Sequence, residues 1–308
     1  MNRKIIITGG SGYIGQVLAQ YFINKNDEVH IISRNKPKKL PQGVSFAYWD
    51  SKNLGDWTNT LENATAVINL AGKSVNCRYT EANKAEIFAS RLDSTKIVAE
   101  AISKCKNPPS IWLNSSTGTI YRHAEDKPMD EDKGEIGSGF SVNVATSWEK
   151  AFYESSIPPN IRRIALRMSI VFGDSGGAFP YYANLAKWGL GGKMGNGKQK
   201  ISWIDDQDVC RAIDFLIENT HLDGVFNLAS PEAISNADFM KLLRNAYKIP
   251  LGLPTAHWML KIGSWLLGTE TELVLKSRWV YPKRLLDAGF KFISNTPTEI
   301  VKTLISKP

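Results

Sequence analysis

At 308 residues, with 43% hydrophobic and 22% charged residues, the chain has ordinary globular composition and length for one large α/β domain or two modest ones. The absence of a low-complexity tract or internal repeat excludes a fibrous, collagen-like or largely disordered chain. A formal charge of +8 raises nucleic acid as a partner, but no nucleic-acid motif accompanies the densest basic run, Arg34-Asn35-Lys36-Pro37-Lys38-Lys39, so none is expected.

Met1-Asn2-Arg3-Lys4 runs straight into Ile5-Ile6-Ile7, an apolar stretch too short for a signal peptide, which predicts a cytoplasmic protein. The longest later apolar run, 258–267, is broken by Lys261 and Gly263 and falls below the roughly 18 residues a bilayer span needs, so no membrane partner is expected. Cys77, Cys105 and Cys210 are odd in number and lack metal-type spacing, which favours buried free thiols. The four histidines are scattered, no metal site is expected, and His257 reads as an ordinary helix residue.

In chain order, residues 4–8 read as a buried strand, 13–25 as a helix and 28–33 as a second strand, forming a βαβ unit. Further strands are expected at 44–48, 66–70, 111–114, 161–166 and 225–228, with helices at 80–104 and 139–156 between them. This alternation predicts an α/β fold, a Rossmann-type doubly wound parallel sheet. From Gly173 to Gly197 glycines crowd the chain, which suggests loop, before a helix from Asp206. After the last strand, helices are expected at 236–247, 255–267 and 282–288, giving a smaller C-terminal lobe that caps the substrate cleft. The expected division is 1–172 plus 205–230 for the nucleotide-binding domain, and 173–204 plus 231–308 for the lobe.

Thr8-Gly9-Gly10-Ser11-Gly12-Tyr13-Ile14-Gly15 joins the first strand to the first helix and satisfies G-x-G-x-x-G in the right context. Missing side chains let backbone approach a pyrophosphate, and the helix N-terminus stabilises its charge. Gly9, Gly12, Tyr13, Ile14 and Gly15 are therefore candidate cofactor contacts; the competing account is a tight turn with no ligand. An NAD site places Asp or Glu about 20 residues on. Here the second strand ends Ser33-Arg34, and a guanidinium suits a 2′-phosphate, which predicts NADP(H). Arg34 as a plain exposed residue is the alternative. Asp50 either contacts the adenine region or caps a turn, and Leu70, Ala71 and Gly72 are expected beside the cofactor.

Several segments together resemble the extended short-chain dehydrogenase/reductases, in particular an atypical epimerase-like branch with a C-terminal domain of unknown function. They are Asn69-Leu70-Ala71-Gly72, Ser90-Arg91, Trp148-Glu149, Gly191-Gly192 with Gly195-Asn196-Gly197, Trp203-Ile204-Asp205-Asp206-Gln207-Asp208, and Pro282-Lys283-Arg284-Leu285 through Ala288-Gly289-Phe290. The resemblance covers nearly the whole chain. It implies that Arg91, with Glu86 before it on the same helix, lies near the cofactor; a spacing of five does not place the two side chains on one helix face.

The resemblance also implies hydride chemistry using a Ser or Thr after the fifth strand, and a Tyr and Lys four residues apart on the next helix. Ser115-Ser116-Thr117-Gly118-Thr119-Ile120-Tyr121 matches the hydroxyl-bearing segment, with Thr117 at the Ser/Thr position. The dyad positions hold Val144 and Trp148, as the atypical branch also does, and neither moves a proton. Tyr21 with Lys25 and Tyr48 with Lys52 repeat the spacing by chance, in the wrong elements. Two readings stand. One is an NADP(H)-dependent oxidoreductase or epimerase/dehydratase-like enzyme acting on a small molecule, a sugar nucleotide being one candidate, with Thr117 polarising the substrate and Tyr121 as candidate acid. The other is a non-catalytic NADP(H)-binding redox sensor or regulator. Lys193, Lys198 and Arg211 are either contacts for an anionic substrate or solvated cations. Oligomeric state is left open.

Overall fold

A computed structural model describes residues 2–256, 258–260, 268 and 270–306. Seven parallel strands form the central sheet: β1 (Lys4–Thr8), β2 (Glu28–Ser33), β3 (Ser45–Tyr48), β4 (Ala66–Asn69), β5 (Ile111–Thr117), β6 (Arg162–Met168) and, at the far edge, Gly224–Leu228. In sequence order they lie 3-2-1-4-5-6, followed by Gly224–Leu228 beyond β6. The order reverses between β1 and β4, so a crevice opens there at the strands' carboxyl ends.

β1 sits at the centre because its isoleucine run suits a strand covered on both faces. Ile5 and Ile7 pack with Leu18 and Phe22 of α1 (Tyr13–Asn24), while Ile6 faces the opposite layer with Val67, Trp112 and Phe152. That second layer holds α2 (Glu81–Lys104), N-capped by Thr80 accepting from Asn83 N at 3.2 Å, and α3 (Phe140–Tyr153).

Residues 173–204 contain more regular structure than their glycines suggest. Helix α4 (Phe179–Lys187) forms because Phe179, Ala183 and Ala186 make a buried stripe, with Pro180 in the first turn where no amide is needed. Short strands Ile170–Phe172 and Trp203–Asp205 pair in parallel, and Lys200–Ile201 pairs antiparallel with Ile234–Ser235. Phe172, Phe179, Trp203, Phe239 and Met240 then build a separate core with Pro297–Ser306, a helix beyond those expected from the sequence. Helix α5 (Asp206–Glu218) is capped by Asp205, whose carboxylate accepts from Gln207 N at 2.9 Å. α6 covers Asn236–Ala246.

Beyond Pro282 the chain returns to the main layer, where Leu285, Phe290 and Phe292 join its core. Of the helix expected over 255–267, residues 258–260 are helical, while His257 and 261–267 lie outside the described residues. The three cysteines are free, but only Cys210 is buried; Cys77, in the loop before α2, and Cys105, the C-cap of α2, are half-exposed. Among the described residues no cluster of three metal-ligating side chains occurs, and no helix is long and apolar enough to cross a membrane.

Candidate cofactor and active site

The crevice at the β1–β4 reversal is a cleft of about 330 Å3 lined by Gly9, Gly12, Tyr13, Ile14, Gly15, Leu70, Ser115 and Met168, among others. Its glycines are required for different reasons. Gly9 has φ +72°, and a Cβ there would stand 2.7 Å from Ala71 N, so only glycine allows the turn to touch the Asn69-Leu70-Ala71-Gly72 segment. Gly15 packs onto Gly10, where a Cβ would lie 2.5 Å from its Cα. Gly12 meets only Gly9 O, at 3.5 Å, so its missing side chain opens space. Gly12 is also the N-cap of α1 and supplies no side-chain cap, and the first turn holds no acid. An uncapped helix N-terminus facing a cleft suits a pyrophosphate, so these residues fit a dinucleotide.

Tyr13 supports this turn from behind. Its hydroxyl donates to Asp206 Oδ2 at 2.5 Å, and its ring fills the space beside Gly173 and Gly176, where a Cβ would collide with it. Burial and the Asp206 carboxylate push its pKa far up, so the phenol stays neutral.

Arg34 is exposed directly after β2, the strand beside β1. Glu86, on α2, pairs with Lys73 Nζ, which holds its carboxyl below the ordinary range; Arg34 and Lys52 add to that lowering. One exposed carboxylate thus pairs with Lys73 and feels the charges of Arg34 and Lys52 through space. Ser33 is buried and donates to Asn35 O at 2.7 Å, bracing the turn that carries Arg34. Asp50 accepts from the amides of Lys52 and Asn53, both at 2.8 Å, and from Asn53 Nδ2 at 2.7 Å. These bonds depress its pKa and match the turn-capping alternative. Lys38 and Lys39 are solvated.

Arg91 lies against the Asn69–Gly72 turn. Its guanidinium donates to Lys73 O and Ile87 O, both at 3.0 Å, and sits 5.1 Å above the Trp148 ring. A Cβ on Gly72 would come within 3.3 Å of it. Burial lowers its pKa to about 10. Arg91 and Glu86 make no hydrogen bond or ion pair with each other among the described residues.

The family model described as NAD dependent epimerase/dehydratase matches residues 5–229. The chain belongs to that family. A domain of unknown function, DUF1731, matches residues 256–302. Epimerase family protein YfhF of Bacillus subtilis is 30% identical over 289 residues, covering 94% of this chain and 93% of that one. Epimerase family protein SDR39U1 of Bos taurus is 30% identical over 295 residues, covering 94% and 95%. The crystal structure of human SDR39U1 (isoform 2) with NADPH is 26% identical, covers 99% of both chains and superposes with a TM-score of 0.86.

Within this epimerase family fold, Val144 and Trp148, which the resemblance puts at the Tyr–Lys positions, are packed into the interior. Val144 is buried, and Trp148 ends a chain of buried hydrogen bonds that crosses the sheet. Trp148 Nε1 donates to Thr95 Oγ1 at 2.9 Å, and Thr95 in turn donates to Asn114 Oδ1 at 3.4 Å. Asn69 Nδ2 donates to the same oxygen at 2.7 Å, and Thr8 Oγ1 donates to Asn69 Oδ1 at 2.7 Å. Every polar group in it finds a partner, which a buried network needs to be stable. Of the chance pairs, Tyr21 and Lys25 both bind Asp214, and Tyr48 is exposed.

Ser115 lines the cleft, and Thr117, two residues on, lies on the same face of β5. The Thr117 hydroxyl accepts from Thr119 N at 3.1 Å and keeps its own proton to donate. Tyr121 is only 2% exposed; its hydroxyl donates to Asn227 Oδ1 at 3.0 Å and accepts from Arg167 at 2.8 Å. Burial raises its pKa. Arg167 forms two bonds with Glu149, at 2.8 and 2.7 Å, and Glu149 accepts from Ser116 Oγ at 2.6 Å.

Besides Lys73, two residues have no signal in the sequence. Lys276 donates to Thr119 O at 2.8 Å, and Arg278 Nε donates to Thr119 Oγ1 at 3.0 Å. Lys276 borders a cleft of about 660 Å3 with Ser138 and Glu272, and it forms no ion pair with a carboxylate among the described residues. Burial and the Arg278 charge lower its pKa to about 8. Nothing in the local sequence signals this, because the contact spans 157 residues. Arg211 instead pairs with Asp208 at 2.6 Å.

Proposed function

We propose that this chain is an NADP(H)-dependent oxidoreductase or epimerase/dehydratase-like enzyme acting on a small molecule at the carboxyl ends of β4 and β5. The observation that carries the reading is the uncapped N-terminus of α1 over a glycine cradle that leads along one cleft to Ser115. The NADPH of the human SDR39U1 structure supports the choice of cofactor, as do Arg34, Lys52 and Lys73 gathered around Glu86, where they would hold a 2′-phosphate. Arg91 would brace the turn beneath the cofactor rather than pair with Glu86.

When bound, the nicotinamide supplies or accepts a hydride. Thr117 would polarise the substrate oxygen by a hydrogen bond from its hydroxyl, keeping its own proton. We assign the proton-carrying role to Lys276 rather than to Tyr121. Its Nζ lies on Thr119 O, two residues from Thr117, and burial lowers its pKa to about 8, whereas the Tyr121 hydroxyl is occupied by Arg167 and Asn227 in the interior. Tyr121 becomes a positioning residue for the segment after β5. Lys276 and Arg278, both on Thr119, support an anionic substrate such as a sugar nucleotide.

The test is a panel of carbonyl compounds followed by loss of NADPH absorbance. Reduction requires the protonated ammonium, so the rate is expected to fall as pH rises through about 8. Lys276→Met should abolish that dependence and most turnover while NADPH affinity holds. Turnover that survives in Lys276→Met with an unchanged pH profile removes Lys276 from the mechanism. The burial of Val144 and Trp148 at the dyad positions favours the second reading, a redox sensor that binds NADP(H) without chemistry. NADPH binding with no turnover across the panel supports it.

A further inference from the structure

The chain's excess positive charge is not spread evenly. Residues 175–204 hold Lys187, Lys193, Lys198 and Lys200 and no carboxylate. Residues 239–269 hold Lys241, Arg244, Lys248 and Lys261 and again no carboxylate. These eight cations equal the whole formal excess of +8, so the remaining sequence is balanced.

The structure brings the two acid-free stretches together. Leu253 N donates to Gly189 O at 2.9 Å, Gly192 N to Leu253 O at 3.2 Å, and Thr255 N to Lys193 O at 2.9 Å. The joined loops and the helical residues next to them expose large apolar side chains: Trp188 is 81% exposed, Leu251 79%, Leu253 64% and Trp258 64%. Tyr181, two turns before Trp188 on α4, is exposed on the same side of that helix. Lys187 and Lys193 are exposed beside them. Exposed tryptophan and leucine in and beside these loops, flanked by lysines with no acid in either stretch, are the makings of an interfacial contact.

We propose that this face of the C-terminal lobe docks on an anionic lipid surface, with Trp188, Leu251, Leu253 and Trp258 entering the headgroup region and the lysines meeting lipid phosphates. The expectation of no membrane partner rested on the absence of a span, and this contact needs none. The charge complementarity selects lipid: a second copy would set this face against itself, lysines against lysines. The fit does not depend on the proposed reaction.

The experiment is co-sedimentation of the full chain with vesicles of phosphatidylcholine alone and of phosphatidylcholine mixed with phosphatidylglycerol. Binding to the mixed vesicles only is expected. It should weaken about fivefold for each of Lys187→Gln and Lys193→Gln, and about tenfold or more in Trp188→Ser with Leu253→Ser. NADPH affinity, measured in parallel, should be unchanged and reports correct folding. Failure of the wild type to bind anionic vesicles overturns the proposal. So does vesicle binding that ignores all four substitutions, or a dimer in light scattering that Trp188→Ser dissociates.

Discussion

Replacing Arg34 with alanine is expected to weaken NADPH binding about 10- to 100-fold, the worth of a charge-assisted phosphate contact, while NADH binding barely changes. The selectivity follows from position. Arg34 ends β2, beside the edge of the crevice where the adenosine ribose of a dinucleotide would lie, and Ser33 braces its turn through Asn35 O. Lys52 and Lys73 sit near the same carboxylate, so part of the phosphate attraction survives the substitution and the loss stays finite. Glu86→Gln should have the opposite sign: it frees Lys73 and removes a negative charge from the phosphate's surroundings, tightening NADPH and leaving NADH alone. Equilibrium titration of both nucleotides against both variants checks the pair.

The second large effect is on stability. Glu149 and Arg167 form a buried ion pair whose side chains are 12% and 10% exposed, with Ser116 and Tyr121 completing their hydrogen bonds. Glu149→Ala strands the guanidinium in the interior and is expected to cost about 3–5 kcal/mol. Replacing both residues with methionine should recover most of that loss, because the penalty comes from an uncompensated charge rather than from the absence of a bond. Urea denaturation of the single and double variants distinguishes the two. A double variant as unstable as Glu149→Ala would mean that the pair itself, and not the stranded charge, governs the cost. Tyr121→Phe belongs to the same network and should lower stability with less effect on NADPH binding.

What could be read from the sequence was whatever depends on neighbouring residues. The turn Thr8–Gly15 is legible because backbone approach, positive φ and an uncapped helix all follow from glycines at fixed offsets, and β1 and β2 fall on the expected residues. The segment 173–204 was less legible because its glycines mask the Phe179, Ala183 and Ala186 stripe that makes α4 a helix. Asp50 has two equal readings, since an Asx turn and a cofactor contact ask for the same residue; its bonds to Lys52 and Asn53 make the turn. Lys73, Lys276 and Arg278 were invisible for another reason. Each gains its meaning from a partner that the fold, not the local sequence, brings near: Glu86 on α2, and Thr119 after β5. The role of Trp148 likewise emerges only when Thr95 and Asn114 are found beneath it.

The most direct test of the account is calorimetric titration of the wild-type chain with NADPH and with NADH. It predicts saturable one-to-one binding of NADPH, at least about tenfold tighter than NADH, as a single charge-assisted contact to the 2′-phosphate requires. Equal affinity for the two nucleotides would contradict the assignment of Arg34, and binding of neither would contradict the cofactor site itself.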